Sequence, residues 1–300
     1  MAEGLSNVAC FSITTLLVVS LANLVLLMFL ILEWRNNCIS DGESIDSAYR
    51  IGALQGGNKQ LSNSITRNSV NFDQKFMAAL VMFKEVSSSL ICGTIIVSKF
   101  WVLTSANCCY LIKGQPLERL KVVSNSENWK RGKKHSIENF VIHANYTAKS
   151  LSYNVCLIKT GSPFKEQNEL PAFLASSYYH YITDTLATTL GWSSNKATTN
   201  NNIYSLDINL ISFQRCQTLI KDHHVDKTMV CAYNIETHDC RFDSGGPLIQ
   251  NNIVIGIASY EINCDKRIMP RLFTRISFFE KWFELVEKEH NVKINATFKY

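Results

Sequence analysis

From about Phe76 onward, apolar residues fall in short continuous or alternating runs set apart by polar and turn-forming residues. The pattern predicts strands over 77–83, 91–97, 101–104, 120–123, 155–159, 188–192, 206–211, 229–232, 247–249 and 253–259. Strands of this length and spacing build barrels or sandwiches, and the pattern alone does not choose between them. Two other patterns frame them. Between 277 and 289, Phe278, Trp282, Leu285 and Val286 recur at helical spacing opposite Glu280, Lys281, Glu284 and Lys288, which predicts an amphipathic helix. At the other end, Val8 to Leu32 is twenty-five residues without a charged side chain, enough to cross a bilayer core of about 30 Å.

That first apolar stretch reads as a single transmembrane signal-anchor over 8–32, with 1–7 on the cytosolic side. A cleaved secretory signal is the competing reading, and it would make the domain a secreted one. Against it, the run exceeds the roughly 7–15 residues of a signal core, no Lys or Arg precedes it, and no small-residue cleavage site follows. Residues 33–67 are polar, with Gly42, Gly52, Gly56 and Gly57, and read as a stalk. A chain of 300 residues with 46% hydrophobic content can bury a sizeable core. A net charge of +5 is too mild to argue for nucleic acid, and no phosphate-cradling or cofactor motif occurs. His223 and His224 lack spaced partners, so they read as loop residues and no metal site is expected.

Candidate chemistry gathers at Asp243-Ser244-Gly245-Gly246-Pro247, where glycines allow the tight turn that presents a serine hydroxyl and Leu248 returns the chain to a strand. With Cys240 four residues before Ser244, the run resembles the active-site loop of trypsin-like serine proteases. The resemblance extends over roughly residues 68–290, including Gly191-Trp192. It implies an all-β fold of two six-stranded antiparallel β-barrels with a C-terminal α-helix, preceded here by the single N-terminal transmembrane helix. Residues 291–300 are then a C-terminal tail.

Position by position, that resemblance carries most of the structure and little of the chemistry. A serine hydroxyl needs an imidazole to take its proton, and the imidazole needs a carboxylate to orient it. The family's Thr-Ala-Ala-His-Cys reads Thr104-Ser105-Ala106-Asn107-Cys108, and its Asp-Ile-Ala-Leu-Ile-Lys reads Asn154-Val155-Cys156-Leu157-Ile158-Lys159. Amides at Asn107 and Asn154 have no useful basicity, so Ser244 alone survives of the triad. Phe242 occupies the oxyanion-hole glycine. In the specificity pocket, His238 stands at the floor, Ser259-Tyr260-Glu261 replaces Ser-Trp-Gly, and Arg271 replaces a glycine that leaves the pocket open. No Ile-Val-Gly-Gly start follows Arg67, so no freed ammonium awaits Asp243. That carboxylate is expected to be solvated or paired with Arg271, Arg241 or His238.

The resemblance pairs Cys92–Cys108, Cys216–Cys231 and Cys240–Cys264, and a fourth family bridge is absent at both ends, Ala187 and Gln250. Disulfides imply an oxidising compartment, hence a lumenal or extracellular domain. Asn145-Tyr146-Thr147 and Asn295-Ala296-Thr297 are glycosylation acceptors that fit that side. Of the remaining cysteines, Cys10 lies in the anchor and Cys156 is expected as a buried thiol. The partners of Cys38 and Cys109 stay open, because Cys108 and Cys109 are neighbours and either could meet Cys92. His143 resembles a structural Ile-His-Pro-x-Tyr turn of the family. Lys130, Arg131, Lys133 and Lys134 form a compact basic run, read as a solvated loop or as an exosite for an acidic protein or anionic glycan.

Three functions compete on this reading. The first is a catalytically inactive protease homologue acting as a membrane-anchored protein-binding or scaffolding module. The second is a serine endopeptidase-like enzyme with residual or unorthodox hydrolysis, and the third is an adhesion or spacer domain.

Overall fold

A computed structural model describes Met28 and residues 75–192, 201–221, 224–233, 243–260 and 270–300. The chain divides into two compact units, Met1–Ile65 and Thr66–Tyr300. The expected anchor and stalk lie outside the described residues, Met28 excepted. Among the described residues no helix is long and apolar enough to cross a membrane.

The second unit begins with a closed barrel. Strands β1 (Met77–Phe83), β2 (Ser88–Ser98), β3 (Trp101–Thr104), β4 (Leu120–Ser124), β5 (Lys133–Ile142) and β6 (Cys156–Thr160) close in the order β1-β2-β3-β6-β5-β4. Strand β1 shows why its sequence is a continuous apolar run and not an alternating one. Ala78 and Leu80 join a cluster with Ile96, Val102, Val122 and Ile158, whereas Met77, Ala79 and Val81 join a second cluster. Both faces are dry, so both must be apolar, and each fully buried Leu or Ile contributes roughly 1.5–3 kcal/mol. Strand β5 behaves differently. Its buried positions are His135 and Ile137, interleaved with exposed Lys134, Ser136 and Glu138, a mostly polar alternation that was not expected as a strand.

The second barrel closes through β8 (Leu186–Gly191), β9 (Tyr204–Ile211), β10 (Met229–Tyr233), β13 (Arg271–Arg275), β12 (Ile253–Tyr260) and β11 (Pro247–Gln250), with β11 paired again to β12. Every pairing within the two barrels is antiparallel, as expected. Two short strands extend this sheet: β7 (Phe173–Ala175) runs parallel to β12, and β14 (Thr297–Lys299) runs parallel to β7. Residues 291–300 are therefore more than a tail. Glu287 accepts hydrogen bonds from the backbone N–H groups of Ile294 and Asn295, which turns the chain after the closing helix into β14.

Among the described residues the unit also has three α-helices, α1 (Ala106–Ile112), α2 (Phe213–Leu219) and α3 (Glu280–Glu289). The closing helix is present, but its apolar face is turned from the expected one. Phe279, Trp282, Phe283 and Val286 are buried, while Phe278 and Leu285 are half exposed. Both sets satisfy helical spacing. The buried set wins because Phe279 meets the His143 and Tyr153 rings and Phe283 meets Phe298 of β14.

Cys92–Cys108 and Cys216–Cys231 are bonded as the resemblance implied, and Cys240 and Cys264 lie outside the described residues. Cys156 corrects the sequence reading. It is no free thiol but is bonded to Cys109, which ties α1 to the start of β6. The helix places the consecutive Cys108 and Cys109 about 100° apart around its axis, so one reaches β2 and the other β6. Where the family bridge between positions 187 and 250 is missing, the buried Gln250 amide takes over a linking role. It accepts from Ile182 N–H at 3.0 Å and donates to Ile182 O at 3.1 Å and Thr185 Oγ1 at 2.9 Å.

Candidate active site

Ser244 sits at the turn that enters β11. Gly245 makes that turn with φ +84°, and a Cβ there would run into Gly93 O and Thr104 Oγ1, so only glycine fits. Gly93 N–H donates to Ser244 O at 2.9 Å, and Thr104 Oγ1 donates to Gly93 O at 2.8 Å. The first barrel thereby fixes the backbone of a serine carried by the second.

Asn107 lies in the first turn of α1. Ser105 caps that helix, its hydroxyl accepting from Cys108 N–H. Asn107 N–H donates to Asn154 Oδ1 at 2.8 Å, and Asn154 Nδ2 donates to Ser259 Oγ at 2.6 Å. Because a backbone N–H can only donate, the first bond fixes which end of the Asn154 amide is oxygen. Thr274 Oγ1 donates to Asn154 O at 2.9 Å. The three positions expected from sequence, Asn107, Asn154 and Ser244, are thus brought together.

The hydroxyl of Ser244 has two partners, Ser259 O at 2.6 Å and Ser105 Oγ at 2.9 Å. A carbonyl oxygen only accepts, so Ser244 gives its one proton to Ser259 O. Neither partner is a base. Ser105 was present in the quoted motif, standing where the family has alanine, but only the fold brings it against Ser244.

Asp243 is buried, and its Oδ2 accepts the Trp192 N–H. Gly191 permits this approach, since a Cβ there would lie 2.7 Å from Asp243 Oδ2. Arg271 opens β13, half-buried and paired in register with Ala232. Arg241, His238, Phe242 and Glu261 lie outside the described residues, as does the side chain of Tyr260.

His143 has the structural place expected of it. Its ring lies 4.9, 5.5 and 5.4 Å from those of Tyr153, Phe279 and Trp282, and burial pushes its pKa down. The basic run divides. Lys130, Arg131 and Lys134 are exposed, with Lys130 over Trp129 and Lys134 over Phe83. Lys133 instead pairs with Glu166 at 2.9 Å and Glu169 at 3.5 Å. Glu169 is buried, accepts from Ser124 Oγ at 2.6 Å and meets His135 Nε2 at 3.0 Å. Sequence reading missed this cluster, since nothing in the chain signals that Glu169 folds back under β5. Asn145 and Asn295 are both exposed. Among the described residues, no group of three or more His, Cys, Asp or Glu is placed to hold a metal ion.

Two closed barrels, a serine on a glycine turn joining them and a helix closing the chain define the class of trypsin-like serine protease domains. The family model for trypsin matches residues 66–283, and the chain belongs to that family. It is 26% identical over 216 residues to a trypsin of Sarcophaga bullata, covering 70% of this chain and 84% of the relative. It is 28% identical to hypodermin-A of Hypoderma lineatum over 193 residues, covering 62% and 73%. Among solved structures, a scabies mite inactivated protease paralogue superposes with a TM-score of 0.62 at 20% identity, covering 73% of this chain and 96% of that one. Mouse neuropsin, a serine protease, superposes with 0.61 at 23% identity, covering 72% and 95%.

Proposed function

We propose that this chain is a catalytically inactive member of the trypsin family that serves as a binding or scaffolding module. Residues 8–32 anchor it in a membrane, and the 68–290 domain stands on the lumenal or extracellular side. One observation carries the loss of hydrolysis: the Ser244 proton goes to the Ser259 carbonyl, and an amide stands at Asn107 where the family places its base. Peptide hydrolysis needs that proton transferred to the leaving amine, and neither a carbonyl nor an amide can carry it near neutral pH. The Cys109–Cys156 bond and the intact barrels support the second half of the reading, since a shape is kept where a reaction is not. Exposed Lys130, Arg131 and Lys134 offer a cationic face for an acidic protein or anionic glycan, and the exposed Asn145 and Asn295 acceptors fit a glycoprotein of the secretory pathway.

The test is exposure of the full-length chain to a fluorophosphonate probe. No adduct at Ser244 is expected. Stoichiometric labelling there would reveal an activated hydroxyl and overturn the reading. Asn107→His with Asn154→Asp is expected to restore an activated serine yet little peptide cleavage, because Phe242 and Arg271 still replace two glycines; efficient cleavage by that double variant would refute the pocket argument.

A further inference from the structure

The contact between Ser105 and Ser244 assigns a role to a residue that is neither base nor nucleophile. Ser105 is fully buried, and its Oγ lies 2.9 Å from Ser244 Oγ. The direction of that hydrogen bond follows from Ser244's other contact. Since Ser244 gives its only proton to Ser259 O at 2.6 Å, the proton between the two serines must come from Ser105. The competing acceptor for Ser105 is Cys108 Sγ, also at 2.9 Å. A disulfide sulfur is a weak acceptor, so the hydroxyl oxygen is the better one. Ser105 is held for this task, because it caps α1 and its backbone is fixed by that helix.

We propose that Ser105 is a positioning residue that locks Ser244 in a poorly reactive orientation, a second brake on its reactivity beside the missing base. This inference rests on the inactive-site reading above and deepens it. A nucleophile must present a lone pair to its target and release a proton to a base. Here a donor from Ser105 occupies one of the two Ser244 lone pairs while the Ser259 carbonyl holds its proton, so the hydroxyl is fixed in rotation from both sides. Alanine, which the family places at this position, has no hydroxyl to donate, and would leave Ser244 held only through Ser259 O.

The test separates the lock from the missing base. In the full-length Asn107→His/Asn154→Asp chain, the rate of fluorophosphonate labelling at Ser244 is compared with and without Ser105→Ala. Release of the lock is expected to raise the rate about tenfold, the equivalent of one hydrogen bond. Ser105→Gly, which keeps most of the helix cap, should give the same gain if Ser105→Ala weakens the fold. Ser105→Thr, which keeps the hydroxyl, should stay at the rate of the double variant. Equal rates with and without the Ser105 hydroxyl, including no labelling in any of these chains, would overturn the lock. Labelling of the unaltered chain would instead count against the inactive-site reading.

Discussion

The amide nitrogen of Asn154 donates to Ser259 Oγ at 2.6 Å, while the same side chain's single acceptor oxygen already takes the Asn107 N–H. An imidazole placed at 107 would therefore find a donor where it needs an acceptor, and its tautomer would be wrong for taking the Ser244 proton. Asn107→His alone is expected to react with fluorophosphonate about 10³–10⁴-fold more slowly than Asn107→His with Asn154→Asp, the scale of losing an orienting carboxylate. Comparable rates would mean that position 154 no longer governs position 107.

Acid stability should depend on Glu169. Burial alone would raise its carboxyl, but hydrogen bonds from Ser124 and His135 and from the N–H groups of Glu166 and Lys165 outweigh burial and hold it at about 2, against an ordinary 4.5. The unfolded chain then takes up the proton first as pH falls. Stability from this group is complete above about 4.5 and is lost progressively toward about 2, on the order of 3 kcal/mol in all. Urea unfolding at pH 7, 4 and 3 measures it, and Glu169→Gln should flatten that part of the profile.

Removing the Gln250 amide leaves Ile182 and Thr185 without its three hydrogen bonds. Gln250→Ala is expected to cost about 1–2 kcal/mol, the lost bonds themselves, since Ile182 and Thr185 are exposed and can turn to water. A thermal midpoint unchanged within error would show that the segment before β8 is held by packing instead.

Peptide mapping without reduction should recover the peptide that carries Cys108 and Cys109 joined to both the Cys92 and the Cys156 peptides, with no free thiol at Cys156. Replacing both by serine opens a loop of 47 residues and is expected to lower unfolding stability by about 2–4 kcal/mol. Recovery of alkylated Cys156 from the native chain would restore the free-thiol expectation.

If the cationic face binds polyanions, Lys130→Ala, Arg131→Ala and Lys134→Ala together should shorten retention of the full-length chain on a heparin column. Lys133→Ala should leave retention nearly unchanged and instead cost on the order of 1 kcal/mol of stability, because Lys133 is committed to Glu166 and Glu169. A larger retention loss from Lys133→Ala than from the other three would reverse this division.

Much of the fold is legible in the chain wherever burial and hydrophobicity coincide. Strands β1 and β3 lie where their apolar runs end, and the turn at Gly245 follows from its glycines. What is not legible has a common cause: tertiary partners that turn polar residues inward. His135 hides β5 because a buried histidine looks like surface until Glu169 and Ser124 are beside it. Ser105 stands in its motif as one more departure from the family until the second barrel brings Ser244 to it. Asn107 and Asn154 were identifiable from their places in the two motifs, but the direction of each hydrogen bond needed coordinates.

Cys108 and Cys109 adjoin along one helix, yet their sulfurs are bonded to different strands, and the four cysteines of these two bridges are all buried. Exchanging the two partners would demand a helix turned by about 100°, carrying Asn107 off the Asn154 oxygen. Oxidative maturation must therefore tell adjacent thiols apart before the packing closes. An isomer that chooses wrongly would still carry two bridges and the same mass, so a count of free thiols cannot distinguish it from the correctly assembled molecule.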